Sequence, residues 1–113
     1  MTGSKARYAV MKDKFFGMLG LAMRAGRLII GSEQVFNGIS GGRVLLCIVS
    51  GDASEGTKKK LRTKCEFYGV KMITTDIELG ELGRLLGKTY APACVGVTDE
   101  GFARELARLA EST

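Results

Sequence analysis

The chain has 113 residues, 45% of them hydrophobic, which is enough for one domain with a core, and no apolar run is long enough to span a membrane. It carries 17 Lys and Arg against 12 Asp and Glu, a net charge of +5 and a pI of about 9.3. There is no His, and the 3 Cys lack any C-x-x-C spacing. This argues against a zinc site and against His-dependent acid–base or nucleophilic chemistry, so no enzyme activity, metal or cofactor is expected.

Residues 1–11 lack the apolar stretch of a secretory signal and are expected to form a flexible N-terminal arm ahead of a single domain over 12–113. Phe15, Phe16, Leu19 and Met23 have the spacing of an amphipathic helix from about Lys12 to Arg24, with Gly26 as its stop. Leu28–Ile30 reads as a short strand. Gly31 then leads into a second helix over Ser32–Ser40, with Ser32 as N-cap candidate and Val35, Phe36 and Ile39 on one buried side. A helix start at a strand end exposes free backbone N–H groups, with the polar side chains of Ser32, Glu33, Gln34 and Asn37 pointing outward together. Such a surface suits phosphates or base edges. The same pattern also fits an ordinary capped helix.

Gly41-Gly42 ends the second helix. Arg43–Ser50 is a near-continuous apolar run, and its Val44–Val49 part is expected to be a central, largely buried strand. Gly51-Asp52-Ala53 is a loop, and Ser54 caps a third helix that runs to about Tyr68 and stops at Gly69. Val70–Thr74 is a strand. Thr75 and Glu78 have capping-box spacing for a fourth helix ending near Gly87. Cys94–Thr98 is the last strand and Asp99–Glu111 the final helix. This alternation predicts an α/β fold, a three-layer α/β/α sandwich around a mixed four-stranded sheet.

The charge is uneven: residues 1–31 carry a net +5, residues 55–71 a net +4 and residues 72–113 a net −3. A basic half beside an acidic one suggests a face turned toward a polyanion. Cys47 and Cys94 lie in apolar runs and read as core residues, and the odd Cys count fits a reducing cytoplasm. Gly87-Lys88-Thr89 looks like the end of a phosphate-binding loop, but Leu82 stands where that pattern needs its first glycine. Lys58-Lys59-Lys60 with Arg62 and Lys64 covers the outer side of the third helix. That spacing gives a solvated face that a phosphate backbone could also approach, with nothing to select a sequence.

Six segments in order carry a resemblance: Gly20–Arg27, Gly31–Gln34, Gly51–Ser54, Lys64–Val70, Leu82–Lys88 and Val97–Ala103. Together they resemble the kink-turn RNA-binding ribosomal-protein superfamily of L-seven-Ae and L-thirty-e type, and within it the bacterial YlxQ-like branch. The resemblance implies a domain of the L-thirty-e fold, without catalytic activity. It implies an RNA-binding edge built from the start of the second helix and the loop before the last strand. The superfamily's usual pattern there is Gly, a small residue, Asn, Glu, two further residues, then Lys. Gly31 and Ser32 fit it. Glu33 replaces Asn, Gln34 replaces Glu and Asn37 replaces Lys. Gln34 can still donate to and accept from base edges, whereas Glu33 adds negative charge and Asn37 lacks a positive one.

By the same resemblance, Tyr90, Ala91 and Pro92 take the place of the apolar recognition loop, where small residues pack on a splayed nucleotide and Tyr90 stacks on a base. Arg24, Arg27 and Lys88 would complete the contact surface. The implied protein is a cytoplasmic monomer that binds structured RNA of ribosomal or other kink-turn-like type, with ribosomal proteins as further partners and no membrane. The alternative is a protein-interaction module of the same fold in the transcription–translation machinery, with a weakened RNA site.

Overall fold

The computed structural model of the chain describes the backbone of residues 2–75, 84 and 92–111, and the side chains of residues 13–75, 84 and 92–110. The elements are α1 (Thr2–Arg24), β1 (Leu28–Ile30), α2 (Ser32–Ser40), β2 (Leu46–Ser50), α3 (Glu55–Tyr68), β3 (Lys71–Thr75), β4 (Cys94–Val97) and α4 (Glu100–Glu111). The predicted fourth helix lies outside the described residues except for Arg84, which is helical and exposed.

The four strands form one mixed sheet in the order β1-β4-β2-β3. β2 pairs with β3 in parallel, and β4 runs antiparallel to both β1 and β2. The strands β1, β2 and β3 therefore point the same way. Their C-terminal ends share one edge of the sheet with the start of β4.

Every residue of β2 is buried, as its apolar run requires. Alternation sends Leu46 and Ile48 to one face and Cys47 and Val49 to the other. On the first face Leu46, Ile48, Val95 and Val97 pack under Phe15 and Leu19 of α1 and Ala103, Leu106 and Leu109 of α4. On the second, Cys47, Val49 and Cys94 pack under Val35 and Ile39 of α2 and Leu61 and Cys65 of α3. The result is the α/β/α sandwich predicted from the sequence.

Val44 sets how closely α2 approaches the sheet. It is buried, and a Cβ on Gly38 would come within 2.6 Å of its Cγ2, one on Gly96 within 2.7 Å. The valine thus fills the space left by a missing side chain on the helix and another on β4.

Two boundaries differ from the sequence reading. α1 begins at Thr2, ten residues before the expected start at Lys12. Residues 4–12 hold no Gly or Pro to break the helix, and Tyr8 and Met11 extend the helical spacing of Phe15 and Leu19 toward the N-terminus. β2 begins at Leu46 because the N–H groups of Arg43 and Val44 both donate to the Gly38 carbonyl, closing the turn after α2.

Candidate nucleic-acid interface

The sheet edge at the ends of β1, β2 and β3 carries the starts of both α2 and α3. The middle position of β4 in the pair order brings these helix starts to either side of one loop. On one side the Gly31 N–H donates to the Cys94 carbonyl at 3.2 Å. On the other the Ser50 N–H donates to the Ala93 carbonyl at 3.0 Å. The chain at the start of β4 is therefore held between the start of α2 and the end of β2. Each helix start leaves backbone N–H groups without an intrahelical acceptor and carries the positive end of the helix dipole.

Gly31, and not Ser32, is the N-cap of α2. Its φ of 107° and ψ of 145° lie where side chains are not tolerated, and its carbonyl accepts the first helical bond from the Val35 N–H at 2.9 Å. Ser32 is consequently the first helical residue and makes no cap hydrogen bond. Its hydroxyl turns inward to hydrogen-bond the Cys94 thiol. The sequence reading had Ser32, Glu33, Gln34 and Asn37 pointing outward together. Glu33, Gln34 and Asn37 are exposed, whereas Ser32 is half-buried. The Gln34 carboxamide oxygen lies against Gly31, where an added Cβ would come within 2.7 Å of it. Glu33 and Asn37 are four residues apart, so they share one face of the helix. Glu33 in the first turn complements the helix dipole, which is a structural use for the charge that is awkward beside phosphate.

Sequence reasoning missed the second helix start as part of this edge. Ser54 caps α3 by accepting from the Thr57 N–H at 3.2 Å, as predicted. Lys58, expected on a solvated face, instead folds back and donates to the Gly51 carbonyl at 2.7 Å, with its side chain only 15% exposed. The signal was present in the sequence: a strand, a glycine and a polar helix start occur twice, directly at Ile30-Gly31-Ser32 and, after a short loop, at Ser50-Gly51 followed by the Ser54 cap. Parallel strands place such repeats at the same sheet edge.

Other expected site residues are placed differently. Arg24 and Arg27 are exposed, but the extended chain of β1 separates Arg27 from Gly31 by roughly 13 Å, four residues at about 3.3 Å each. The Arg27 carbonyl accepts from the Thr98 N–H, beyond the far end of β4. The two arginines therefore lie at the opposite sheet edge and do not join the helix start, because β1 runs between them. Pro92 is buried, so it is not exposed for contact with a nucleotide. Lys88, Tyr90 and Ala91 lie outside the described residues.

The three cysteines, remote in sequence, meet beneath this edge. All are buried free thiols, from β2, α3 and β4. Hydrogen bonds with Cys65 and Cys94, reinforced by burial, push the Cys47 thiol far up. The same bonds from Cys47 lower Cys65 and Cys94 against the opposing effect of burial. Among the described residues no group of three or more His, Cys, Asp or Glu side chains is placed to hold a metal ion. No helix among the described residues is long and apolar enough to cross a membrane. What the edge presents is a set of directed N–H donors, a carboxamide and an amide side chain: a surface for recognition.

The fold and this edge define an α/β/α domain whose paired helix starts flank a single loop. The chain belongs to the Ribosomal protein L7Ae/L30e/S12e/Gadd45 family, which matches it over residues 13–107. It is 38% identical over 100 residues to the RNA-binding protein YlxQ of Enterococcus faecium, covering 88% of this chain and 94% of the relative. It is likewise 38% identical over 96 residues to the RNA-binding protein YlxQ of Bacillus subtilis, covering 85% and 94%. A solved structure of a Bacillus halodurans protein of unknown function superposes with a TM-score of 0.81 at 42% identity, covering 87% of this chain and 97% of that one. The Giardia lamblia 15.5kD RNA binding protein has the same fold, with a TM-score of 0.73 at 13% identity over 90% of this chain and 86% of that one.

Proposed function

We propose that the protein is a cytoplasmic, non-catalytic RNA-binding protein that recognises structured RNA of kink-turn type. The contact is made by the start of α2 (Gly31, Glu33, Gln34 and Asn37) with the loop before β4. The observation that supports this reading is the Gly31–Cys94 hydrogen bond, which ties the α2 start to the first residue of β4. Gly31 has no side chain, so a base or phosphate can approach the free N–H groups of the first turn. Gln34 offers both a donor and an acceptor to the edges of sheared G·A pairs. Membership of the family, and relatives that are themselves RNA-binding proteins, support the same reading.

The test is a titration by fluorescence anisotropy at two salt concentrations. One RNA is a kink-turn with tandem G·A pairs; the other has those pairs replaced by Watson–Crick pairs. The kink-turn RNA is expected to bind more tightly, and its affinity to fall steeply with salt. Absence of binding to either RNA at low salt would overturn the proposal and favour a protein partner for this edge.

A further inference from the structure

A second surface lies beside the candidate interface, between α2 and α3. It is an open groove of about 660 Å³ with an apolar floor, lined by Phe36 of α2 and by Lys59, Lys60, Lys64, Phe67 and Tyr68 of α3, and by no carboxylate. Phe67 is 80% exposed and Tyr68 47%, an unusual exposure for two large aromatic side chains on one helix end. Their rings meet edge to face with centroids 4.9 Å apart, which leaves flat faces open to a ligand. Lys64 Nζ lies 5.5 Å from the centre of the Phe36 ring. Lys60 and Lys64 are one helical turn apart, about 6 Å along the axis. Among the described residues no ion pair neutralises Lys59, Lys60 or Lys64; Lys58, which does pair with Glu55, stays outside the lining.

We propose that this groove binds unpaired nucleotides that flank the structured part of the same RNA, with a base stacked on Phe67 and backbone phosphates against Lys60 and Lys64. The inference rests on the RNA-binding reading above. Two observations favour nucleic acid as occupant. Open aromatic faces interleaved with unpaired cations suit single strands, because every base has a stacking face and every linkage a negative charge. The groove also borders the candidate interface: Phe36 lies one helical turn after Glu33, so the two are neighbours on the surface of α2. Phe67 lies about 18 Å along α3 from its start, so a strand of several nucleotides leaving the edge reaches it.

The experiment titrates the full chain against a kink-turn RNA with blunt ends and the same RNA carrying a single-stranded extension of six uridines. The extension is expected to raise affinity roughly tenfold. Phe67→Ala should lose that gain while binding the blunt RNA as before; Phe67→Tyr should keep it. The double variant Lys60→Gln, Lys64→Gln should lose it as well, and more salt should erase the difference. Phe67 is exposed, so these variants are expected to retain the wild-type circular dichroism spectrum. If the wild type binds the blunt RNA and the extension adds nothing at either end, the groove proposal fails and the edge reading stands. If neither RNA binds, both fail. If a polyglutamate peptide binds in a Phe67-dependent way while the extension has no effect, the occupant is an acidic protein segment and the proposal is overturned.

Discussion

The Gly31 N–H donates to the Cys94 carbonyl, and this bond couples the geometry of the α2 start to the start of β4. Gly31 can make it only at its φ of 107°, from which its carbonyl also starts the helix. Gly31→Ala should therefore disturb helix start and loop together. The backbone strain is worth about 1–3 kcal/mol of stability by chemical denaturation. RNA affinity should fall as well, even at temperatures where the variant is fully folded by circular dichroism. A variant with unchanged affinity would separate the loop from the contact surface.

Glu33 and Asn37 share a face of α2, so their effects on RNA affinity are expected to be coupled. Asn37→Lys alone places a lysine four residues after Glu33, where the carboxylate pairs with it and withholds it from phosphate. The double variant Glu33→Asn, Asn37→Lys frees that charge. Kink-turn affinity at fixed salt should rise by on the order of 1–3 kcal/mol in the double variant, and by distinctly less in Asn37→Lys. Equal gains in both would remove Glu33 from the account.

Arg24 and Arg27 stand across the sheet from the helix start. Reversing both to Glu is expected to weaken RNA binding at low salt through long-range repulsion, and the loss should largely vanish as added salt shortens the screening length. Gln34→Ala, on the proposed contact surface, should cost affinity at both salts. Filter binding at two salt concentrations distinguishes them. A salt-independent loss on reversing the arginines would mean that RNA reaches the opposite sheet edge.

Val44 fills the space left by Gly38 and Gly96. Gly96→Ala should destabilise the protein by about 1–3 kcal/mol through overpacking, read as a lowered denaturation midpoint. Gly38→Ala should cost less, because alanine restores about 1 kcal/mol of helix propensity that glycine lacks. Combining Gly96→Ala with Val44→Ala should give a smaller loss than the two single changes added together, since the shortened side chain makes room for the new methyl group. Simple additivity would show that the contact is not shared.

Much of the fold was legible because burial in this chain is periodic. The β2 run, the Ser54 cap and the αL glycine at Gly69 each combine a local backbone preference with a local pattern. The start of α1 was placed too late because the helical spacing was read only from Phe15, although Met11 and Tyr8 continue it one and two turns earlier. The cap of α2 was misread for a different reason. Ser32 is a good capping residue by type, but the Cys94 carbonyl draws the Gly31 N–H into the sheet and the Cys94 thiol engages the Ser32 hydroxyl. Both partners come from a strand more than 60 residues away in the chain.

The amino-acid sequence by itself determined the layer architecture and which residue types stand at the α2 start, because amphipathic period, glycine stops and family-like segments are all local. Pair order was decided only by tertiary structure. Inserting β4 between β1 and β2 ties the α2 start and the end of β2 to the same short segment at the start of β4, and gathers three distant thiols beneath it. Strand pairing depends on which faces can be buried together, a property of the whole chain that no local window contains.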